Sequence, residues 1–335
     1  KDVSGQVRAG ALPEQAKIME GHMASFEIIV DSAANIPAAL RKEHNISVIP
    51  YHYLVDGEER LCFDENVPFE ETAKQLYDDM RAGADVKTSL LSEEHIQEAI
   101  VPVLEAGKDV FLLLISSGVS GTYQQAVRAA EELKGRYPER KIEVVDSKNA
   151  SMGEGTIALR VASLRDMGES LEACAEWARV NAYKVNSYLT VGDLKYLKRT
   201  GRISTTLAIA GTLLNIKPVL RADGSTNAKI VFEGREHGRK KALMALARKY
   251  SERVDDVSAP VFITHADCED DAKALAEMLR GMGASNIVIE YYDLCTGSHV
   301  GPGTVALFFT GKDRRRDTDA FEAAPAGAPV PSSSR

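Results

Sequence analysis

Small hydroxyl side chains recur where strands are predicted to end in the first half of the chain. Ser32 follows one apolar run, Thr88 and Ser89 follow a second, and residues 116–120 and Ser147 follow two more. Hydroxyl and backbone N–H groups donate hydrogen bonds without bringing a charge, which suits an anion such as a carboxylate or a phosphate. The pattern therefore predicts an anion site at the ends of these strands.

His299 is the histidine most suited to join such a site, because it lies in a Gly-rich segment, residues 296–303, that is predicted to be a loop. An imidazole facing the hydroxyls could orient and partly neutralise the anion, or it could act as a base for Ser120. A histidine in an exposed surface loop is the alternative interpretation. The sequence contains no Walker loop, no GxGxxG after a strand, no HExxH and no GxSxG.

Residues 110–132 predict the elements that would position the hydroxyls: a buried strand, a tight turn and a helix. Residues 110–115 form a continuous apolar run, which is typical of a strand covered on both faces. Ser120 or Thr122 is the predicted N-cap of the helix. Such a helix presents free N–H groups beyond the carboxyl end of a strand, where open α/β sheets bind anions. An ordinary strand-to-helix turn without a ligand would explain the same residues.

The predicted fold is α/β with two domains. Strands alternate with helices up to about residue 182, which indicates a mostly parallel sheet. Beyond that point Asp223-Gly224, between two predicted strands, indicates a hairpin and hence a mixed or antiparallel sheet. The expected segments are a tag or flexible extension (1–25), an N-terminal α/β domain (26–182), a C-terminal α/β domain (183–311) and a disordered tail (312–335).

Composition narrows the class of protein. The chain has 335 residues, of which 44% are hydrophobic and 27% charged, and its net charge of −8 argues against a nucleic-acid partner. The four cysteines are far apart and form no metal-binding pattern, so they are expected to be free thiols in a reducing compartment. Neither a signal peptide nor a stretch long enough to insert stably into a membrane is recognised, so we expect a cytoplasmic location.

Several short motifs, none specific alone, resemble those of one known family in their order and spacing. The chain from about residue 26 to 311 is similar to the DegV family of fatty-acid-binding proteins, some of which are the acyl-carrying subunit of a bacterial fatty acid kinase. The motifs are Val30-Asp31-Ser32, Lys87-Thr88-Ser89, Ser116-Ser117-Gly118-Val119-Ser120-Gly121-Thr122-Tyr123, Val145-Asp146-Ser147, Gly201-Arg202-Ile203-Ser204, Gly211-Thr212-Leu213-Leu214-Asn215-Ile216-Lys217-Pro218 and His299.

The resemblance implies a long-chain fatty acid held in an apolar tunnel between the two domains. Thr88, Ser120 and His299 would bind its carboxylate, assisted by backbone N–H groups around Ser120 and Gly121. The family's usual Thr-Ser-Gln-Pro reads Thr88-Ser89-Leu90-Leu91 here, which keeps the hydroxyls but changes the loop. Apart from the fatty acid ligand, no cofactor and no metal are expected.

The resemblance also implies a non-enzymatic carrier that presents the carboxylate to the ATP-binding subunit of a fatty acid kinase. That subunit would form the acyl-phosphate used in phospholipid synthesis, which agrees with the lack of a nucleotide loop here. Arg235 matches a family arginine used in docking the kinase. Arg202 is a second docking candidate, and a solvated arginine is the alternative for it.

A hydrolase or acyltransferase with Ser120 as nucleophile and His299 as base is the competing hypothesis. It needs an acidic partner for His299, and Asp31 and Asp146 lie at strand ends from which they could reach it. The residues chosen for the tunnel wall are Leu113, Ile115, Leu207, Ile209 and Leu213, and plain core packing is the stronger interpretation of each.

Overall fold

The computed structural model describes residues 26–203, 215–225 and 229–317. The sequence motif spanning residues 211–218, the tunnel candidates Leu207, Ile209 and Leu213, and the predicted extension at 1–25 lie wholly or partly outside the described residues.

The first half of the chain is built on a parallel sheet of four strands in the order β2-β1-β6-β7. Its strands are β1 (Phe26–Asp31), β2 (Ile46–Ile49), β6 (Asp109–Leu114) and β7 (Ile142–Asp146). Side chains along β6 alternate between two cores, with Leu112 in one and Leu113 in the other. The continuous apolar run at residues 110–115 therefore does form a strand buried on both faces, as predicted.

Helices cover both faces of this parallel sheet. The helices of the first half are α1 (Ala38–Glu43), α2 (Phe69–Ala82), α3 (Glu93–Glu105), α4 (Thr122–Arg136), α5 (Met152–Asp166) and α6 (Leu171–Asn181). Apolar residues of α3 and α4 share the core that contains Leu112, whereas those of α5 and α6 share the core that contains Leu113. Each face of the sheet is thus shielded by a helix pair, as parallel sheets require.

A small antiparallel sheet, in the order β4-β3-β5, extends the first half. Its strands are β3 (His52–Val55), β4 (Glu58–Leu61) and β5 (Val86–Thr88). Asp56 and Gly57 join β3 to β4 and have φ values of 51° and 93°, and positive φ at both central residues is typical of a two-residue hairpin turn. Residues 46–55 do not form one continuous strand, because the chain breaks into β2 and β3 at Pro50, which has no N–H for a sheet hydrogen bond.

The second half carries a mixed sheet of six strands in the order β10-β9-β8-β13-β11-β12. Its strands are β8 (Val185–Thr190), β9 (Ile216–Ala222), β10 (Ile230–His237), β11 (Val261–His265), β12 (Ile287–Tyr291) and β13 (Val305–Thr310). Only β11 and β12 pair in parallel. The predicted α/β fold, with one parallel sheet and one mixed sheet, is confirmed.

The helices of the second half lie between and beside these strands. They are α7 (Lys195–Thr200), α8 (Arg239–Arg253), α9 (Glu269–Arg280) and α10 (Leu294–Val300). Apolar residues of α8 and α9 pack on one face of the mixed sheet, and the opposite face, including Leu189 and Phe308, joins the core of the first half. None of the helices within the described ranges is long and apolar enough to span a membrane.

Two predicted irregular segments are ordered. The Gly-rich segment at 296–303 is not a loop throughout, because α10 covers Leu294–Val300 and Asp293 caps it by accepting a hydrogen bond from the Thr296 N–H. A disordered tail does not begin at residue 312, because Arg314 is buried and a 3₁₀ turn spans Arg314–Asp317. The limits of the two domains stay predictions.

Glu154 is a buried carboxyl group in the first turn of α5, and neither of its side-chain oxygens has a hydrogen-bond partner among the residues described above. Burial raises its pKa well above the ordinary value, and the nearby charges of Asp31, Asp293 and Asp146 raise it further. The folded protein therefore binds this proton more tightly than the unfolded chain does. Its contribution to stability is fully present at acidic pH and is lost as pH rises above the ordinary carboxyl range.

We expect the Glu154→Gln variant to be more stable than the wild type at pH 8, because a neutral amide avoids the free-energy cost of either protonating the carboxyl at that pH or burying it as a charge. The melting temperature should rise by about 2–4 °C, which corresponds to roughly 1 kcal/mol, and the gain should shrink at pH 5. Thermal unfolding across this pH range measures it, with the exposed Glu98→Gln as the matched control. An equal or lower melting temperature at pH 8 contradicts the assignment.

Candidate functional site

A cavity lies between the carboxyl ends of the first-half strands and the inner face of the mixed sheet. It measures about 1080 Å³ with its opening to solvent included. Its wall is mostly apolar and draws on both halves of the chain, with Leu90, Ile115, Val119, Leu189, Leu197, Ile230, Val300 and Phe308. The polar residues that line it include Thr88, Ser116, Ser120, Asn149, Ser187, Arg202 and His299.

Thr88 and His299 meet at this cavity although they are far apart in sequence. Thr88 ends β5, where it pairs with Tyr53 of β3, and its Oγ1 lies 2.9 Å from Nε2 of His299. His299 lies near the end of α10, which approaches α2 so closely that a Cβ atom on Gly297 would stand 2.2 Å from the Tyr77 hydroxyl. The absence of a side chain at Gly297 therefore lets α10 bring His299 to β5.

Ser120 and Gly121 form the turn between β6 and α4 on the same cavity wall. The Ser120 hydroxyl donates to Oγ1 of Thr122 at 3.1 Å and accepts from the Thr122 N–H at 3.3 Å. The helix begins at Thr122, so Gly121 occupies the N-cap position instead of the predicted Ser120 or Thr122. The Gly121 N–H makes no hydrogen bond within the described part of the chain, and it is available to an anion.

His299 is uncharged at neutral pH. Burial lowers its pKa to about 4, and the positive charges of Arg202 and Arg199 act in the same direction. Its Nδ1 atom is buried and has no hydrogen-bond partner in the part of the chain that the structure describes. The histidine is therefore not an exposed loop residue, and it faces Thr88 as a neutral imidazole.

The two aspartates considered as acidic partners for His299 are engaged elsewhere. Asp31 accepts hydrogen bonds from the backbone N–H groups of Ala33 and Ile115 and from the Tyr51 hydroxyl. Burial raises its pKa to about 7. Asp146 forms an ion pair with Lys148 at 2.6 Å. Among the described residues no nucleophile–base–acid arrangement forms at Ser120 and His299, which does not favour the hydrolase hypothesis.

The two arginines predicted to dock a partner occupy different places. Arg202 lines the cavity, and its Nε donates to the Val119 carbonyl at 3.3 Å. Arg235 is exposed on the edge strand β10, where its backbone pairs with β9, and its side chain makes no hydrogen bond or ion pair with any described residue. Arg202 therefore belongs to the wall of the cavity, and Arg235 belongs to an open surface of the second half.

The residues predicted for the tunnel wall do not all line the cavity. Ile115 lines the cavity, whereas Leu113 packs on the other face of the parallel sheet against α5 and α6, so its assignment to the wall is wrong. Tyr51 and Asn149 line the cavity and were not predicted. Tyr51 directly follows Pro50, at the break between β2 and β3. This proline is the one local signal in the sequence that could have indicated that Tyr51 lines the cavity.

Comparisons with known proteins settle the family. The model of the family described as uncharacterised proteins of the DegV family matches residues 25–312. The chain belongs to the DegV family. A DegV domain-containing protein of Clostridium perfringens is 35% identical over 291 residues, which cover 86% of this chain and 98% of that relative.

Two solved DegV-family structures resemble this chain over nearly its whole described part. One, from Thermus thermophilus, is titled for its fatty acid binding and has a TM-score of 0.74 at 29% identity, covering 86% of this chain and 100% of its own. The other, a fatty acid binding DegV family protein from Streptococcus agalactiae, has a TM-score of 0.75 at 26% identity, with 86% and 99% covered. This DegV-family protein thus shares its fold with proteins described as fatty-acid-binding.

We expect the imidazole of His299 to stay neutral down to about pH 4, because burial and two arginines oppose its protonation. A pH titration of the histidine ring resonances by NMR measures this, with the resonance assigned by its loss in His299→Gln. Titration of that resonance between pH 6 and 7 would contradict the electrostatic account of the site.

Proposed function

We propose that this DegV-family protein binds a long-chain fatty acid, with the carboxylate at Thr88, Ser120, Gly121 and His299 and the acyl chain in the apolar cavity. The observation that carries the proposal is the convergence of neutral donors at the wall of one apolar cavity. The fatty acid binding described for the Thermus thermophilus and Streptococcus agalactiae relatives supports it.

The apolar wall supplies most of the affinity in this proposal. Burying each CH₂ group contributes about 0.8 kcal/mol, so a long chain gains far more from the wall than from its head group. Mostly aliphatic and aromatic side chains line the space, which suits an alkyl chain and does not suit a polar metabolite. The cavity also reaches across both halves of the chain, so we propose that it is the interdomain tunnel of the family.

The head-group site holds an anion without a formal charge on its three side-chain donors. The Thr88 and Ser120 hydroxyls can rotate to donate to a carboxylate, and the Gly121 N–H has no competing acceptor. Arg202 and Arg199 lie close enough to lower the pKa of His299, so their positive potential also favours an anion there. Such a site orients the carboxylate and still allows it to leave.

We further propose that the protein is a carrier that presents the carboxylate to the ATP-binding subunit of a fatty acid kinase, which forms an acyl-phosphate. Arg202 at the cavity and Arg235 on the open face of β10 would contact that subunit. An unpaired, exposed arginine such as Arg235 suits a contact with an acidic partner surface. The acyl-phosphate would then pass to phospholipid synthesis in the cytoplasm.

Removing one donor should weaken fatty acid binding without changing the fold. A hydrogen bond to a charged group contributes about 1.5–3 kcal/mol, so Thr88→Val or Ser120→Ala should raise the Kd for oleate about 10- to 100-fold. Isothermal titration of delipidated protein measures this. Thr72→Val is the control for Thr88→Val, because Thr72 on α2 does not line the cavity and its hydroxyl donates to the carbonyl of Pro68, the N-cap residue of the same helix. Unchanged Kd values in both site variants would exclude this carboxylate site.

The docking proposal is tested separately from lipid binding. With the ATP-binding subunit of a fatty acid kinase, Arg235→Ala should lower kcat/KM for acyl-phosphate formation about 10-fold while the Kd for oleate stays unchanged. The acyl-phosphate is trapped as a hydroxamate with hydroxylamine. Arg160→Ala, an exposed arginine on α5, serves as the control. Equal activity of both variants would show that Arg235 does not contact the partner.

A further inference from the structure

The residues that follow β13 pack back onto the second half of the chain. The Lys312 N–H donates to the Arg253 carbonyl at 2.9 Å, and the Lys312 carbonyl accepts from Nδ2 of Asn186 at 3.1 Å. These contacts fix the direction of residues 312–315, which we term the C-terminal segment. Its charged composition gave no sign of a packed role.

Arg314, in this segment, is 2% exposed. Its Nη1 donates to the Asp223 carbonyl at 2.7 Å and its Nη2 to the Lys148 carbonyl at 2.5 Å. The guanidinium also stands 5.3 Å from the ring centre of Tyr183, at a distance where cation–π attraction operates. One buried side chain therefore joins the loop after β7, the connection between the halves and the hairpin after β9.

Both carbonyl contacts lie directly beside the cavity. Lys148 precedes Asn149 and Asp223 follows Ala222, and Asn149 and Ala222 line the cavity from the first and the second half. The backbone of the C-terminal segment also lies against this hairpin, because a Cβ atom on Gly224 would stand 1.9 Å from the Arg314 carbonyl oxygen. The C-terminal segment is thus packed against the hairpin with no space for a side chain between them.

We infer that Arg314 is a positioning residue that holds the two halves closed around the cavity and thereby slows release of the bound ligand. The inference rests on the proposed fatty acid site. Two hydrogen bonds from a charged group join the halves at Lys148 and Asp223, which are the sequence neighbours of the wall residues Asn149 and Ala222. Both bonds are lost together when the side chain is removed. Opening of this wall then becomes more frequent, and the ligand leaves faster without any change at the carboxylate site.

Dissociation of cis-parinaric acid measures this effect directly. The loaded full-length protein is mixed with excess albumin, and the decay of the bound fluorescence gives the off-rate. Arg314→Met should increase the off-rate at least 10-fold, and Arg314→Lys should give an intermediate increase because an ammonium cannot span both carbonyls. Arg315→Met is the matched control, since Arg315 also stands over Tyr183, at 4.9 Å, but is exposed. An Arg314→Met off-rate within twofold of the wild type overturns the inference.

Amide hydrogen exchange of the ligand-free protein separates this inference from the proposed function. In Arg314→Met, the amides of residues 148–150 and 222–225 should exchange faster than in the wild type, and the amides in the core of β6 should exchange at the wild-type rate. Arg314→Lys replaces the methionine variant if that variant does not fold. Unchanged exchange at both wall segments overturns the role of Arg314. If wild-type protein fails to bind the probe but the exchange result holds, the proposed fatty acid site fails while the closing role of Arg314 stands.

Discussion

The hydrogen bond between Thr88 and His299 is the contact on which the rest of the site depends. It joins the last residue of a short strand in the first half to a short helix in the second, at 2.9 Å. The bond requires α10 to approach α2 at Gly297 and requires Asp293 to cap that helix. Burial of the imidazole then keeps His299 neutral, so the site combines polarity with little charge.

Buried carboxyl groups maintain the structure around this contact, and their burial costs free energy when they ionise. Asp31 ties the Ile115 N–H to the turn after β1, and Asp293 caps α10, and burial raises the pKa of each to about 7. Glu154 lies near both, and its side chain has no hydrogen-bond partner among the described residues. The stability that protonated carboxyl groups contribute decreases as pH rises. The stability of the fold therefore depends on pH through the same carboxyl groups that maintain the structure around the site.

Local patterns in the sequence predicted elements better than they predicted contacts. The run at 110–115 gave a buried strand because strand burial is a property of consecutive residues. The Gly-rich segment containing His299 was expected to be a loop, because glycine disfavours helices locally, yet the Asp293 cap and packing on Tyr77 outweigh that preference. Leu113 was assigned to the wrong face, since only the tertiary fold decides which face of a doubly covered strand meets a cavity.

The candidate site was predictable from the sequence only where it depends on local patterns. The hydroxyls after β6 indicated an anion site, because the carboxyl ends of parallel strands share one edge. Thr88 does not follow from this rule, since it ends β5 of the antiparallel sheet. The pairing of Thr88 with His299 came from family resemblance, since no local pattern links residues so far apart in sequence. Arg314 escaped prediction altogether, because its neighbours in the sequence are charged and its partners are backbone carbonyls that no composition reveals.

Denaturing organic extraction of the purified protein, followed by mass spectrometry of the released lipid, tests the central claim most directly. The account predicts close to one long-chain fatty acid per protein molecule, and its mass gives chain length and saturation. Absence of lipid, together with no rise in melting temperature when oleate is added, would contradict a fatty acid ligand in this cavity.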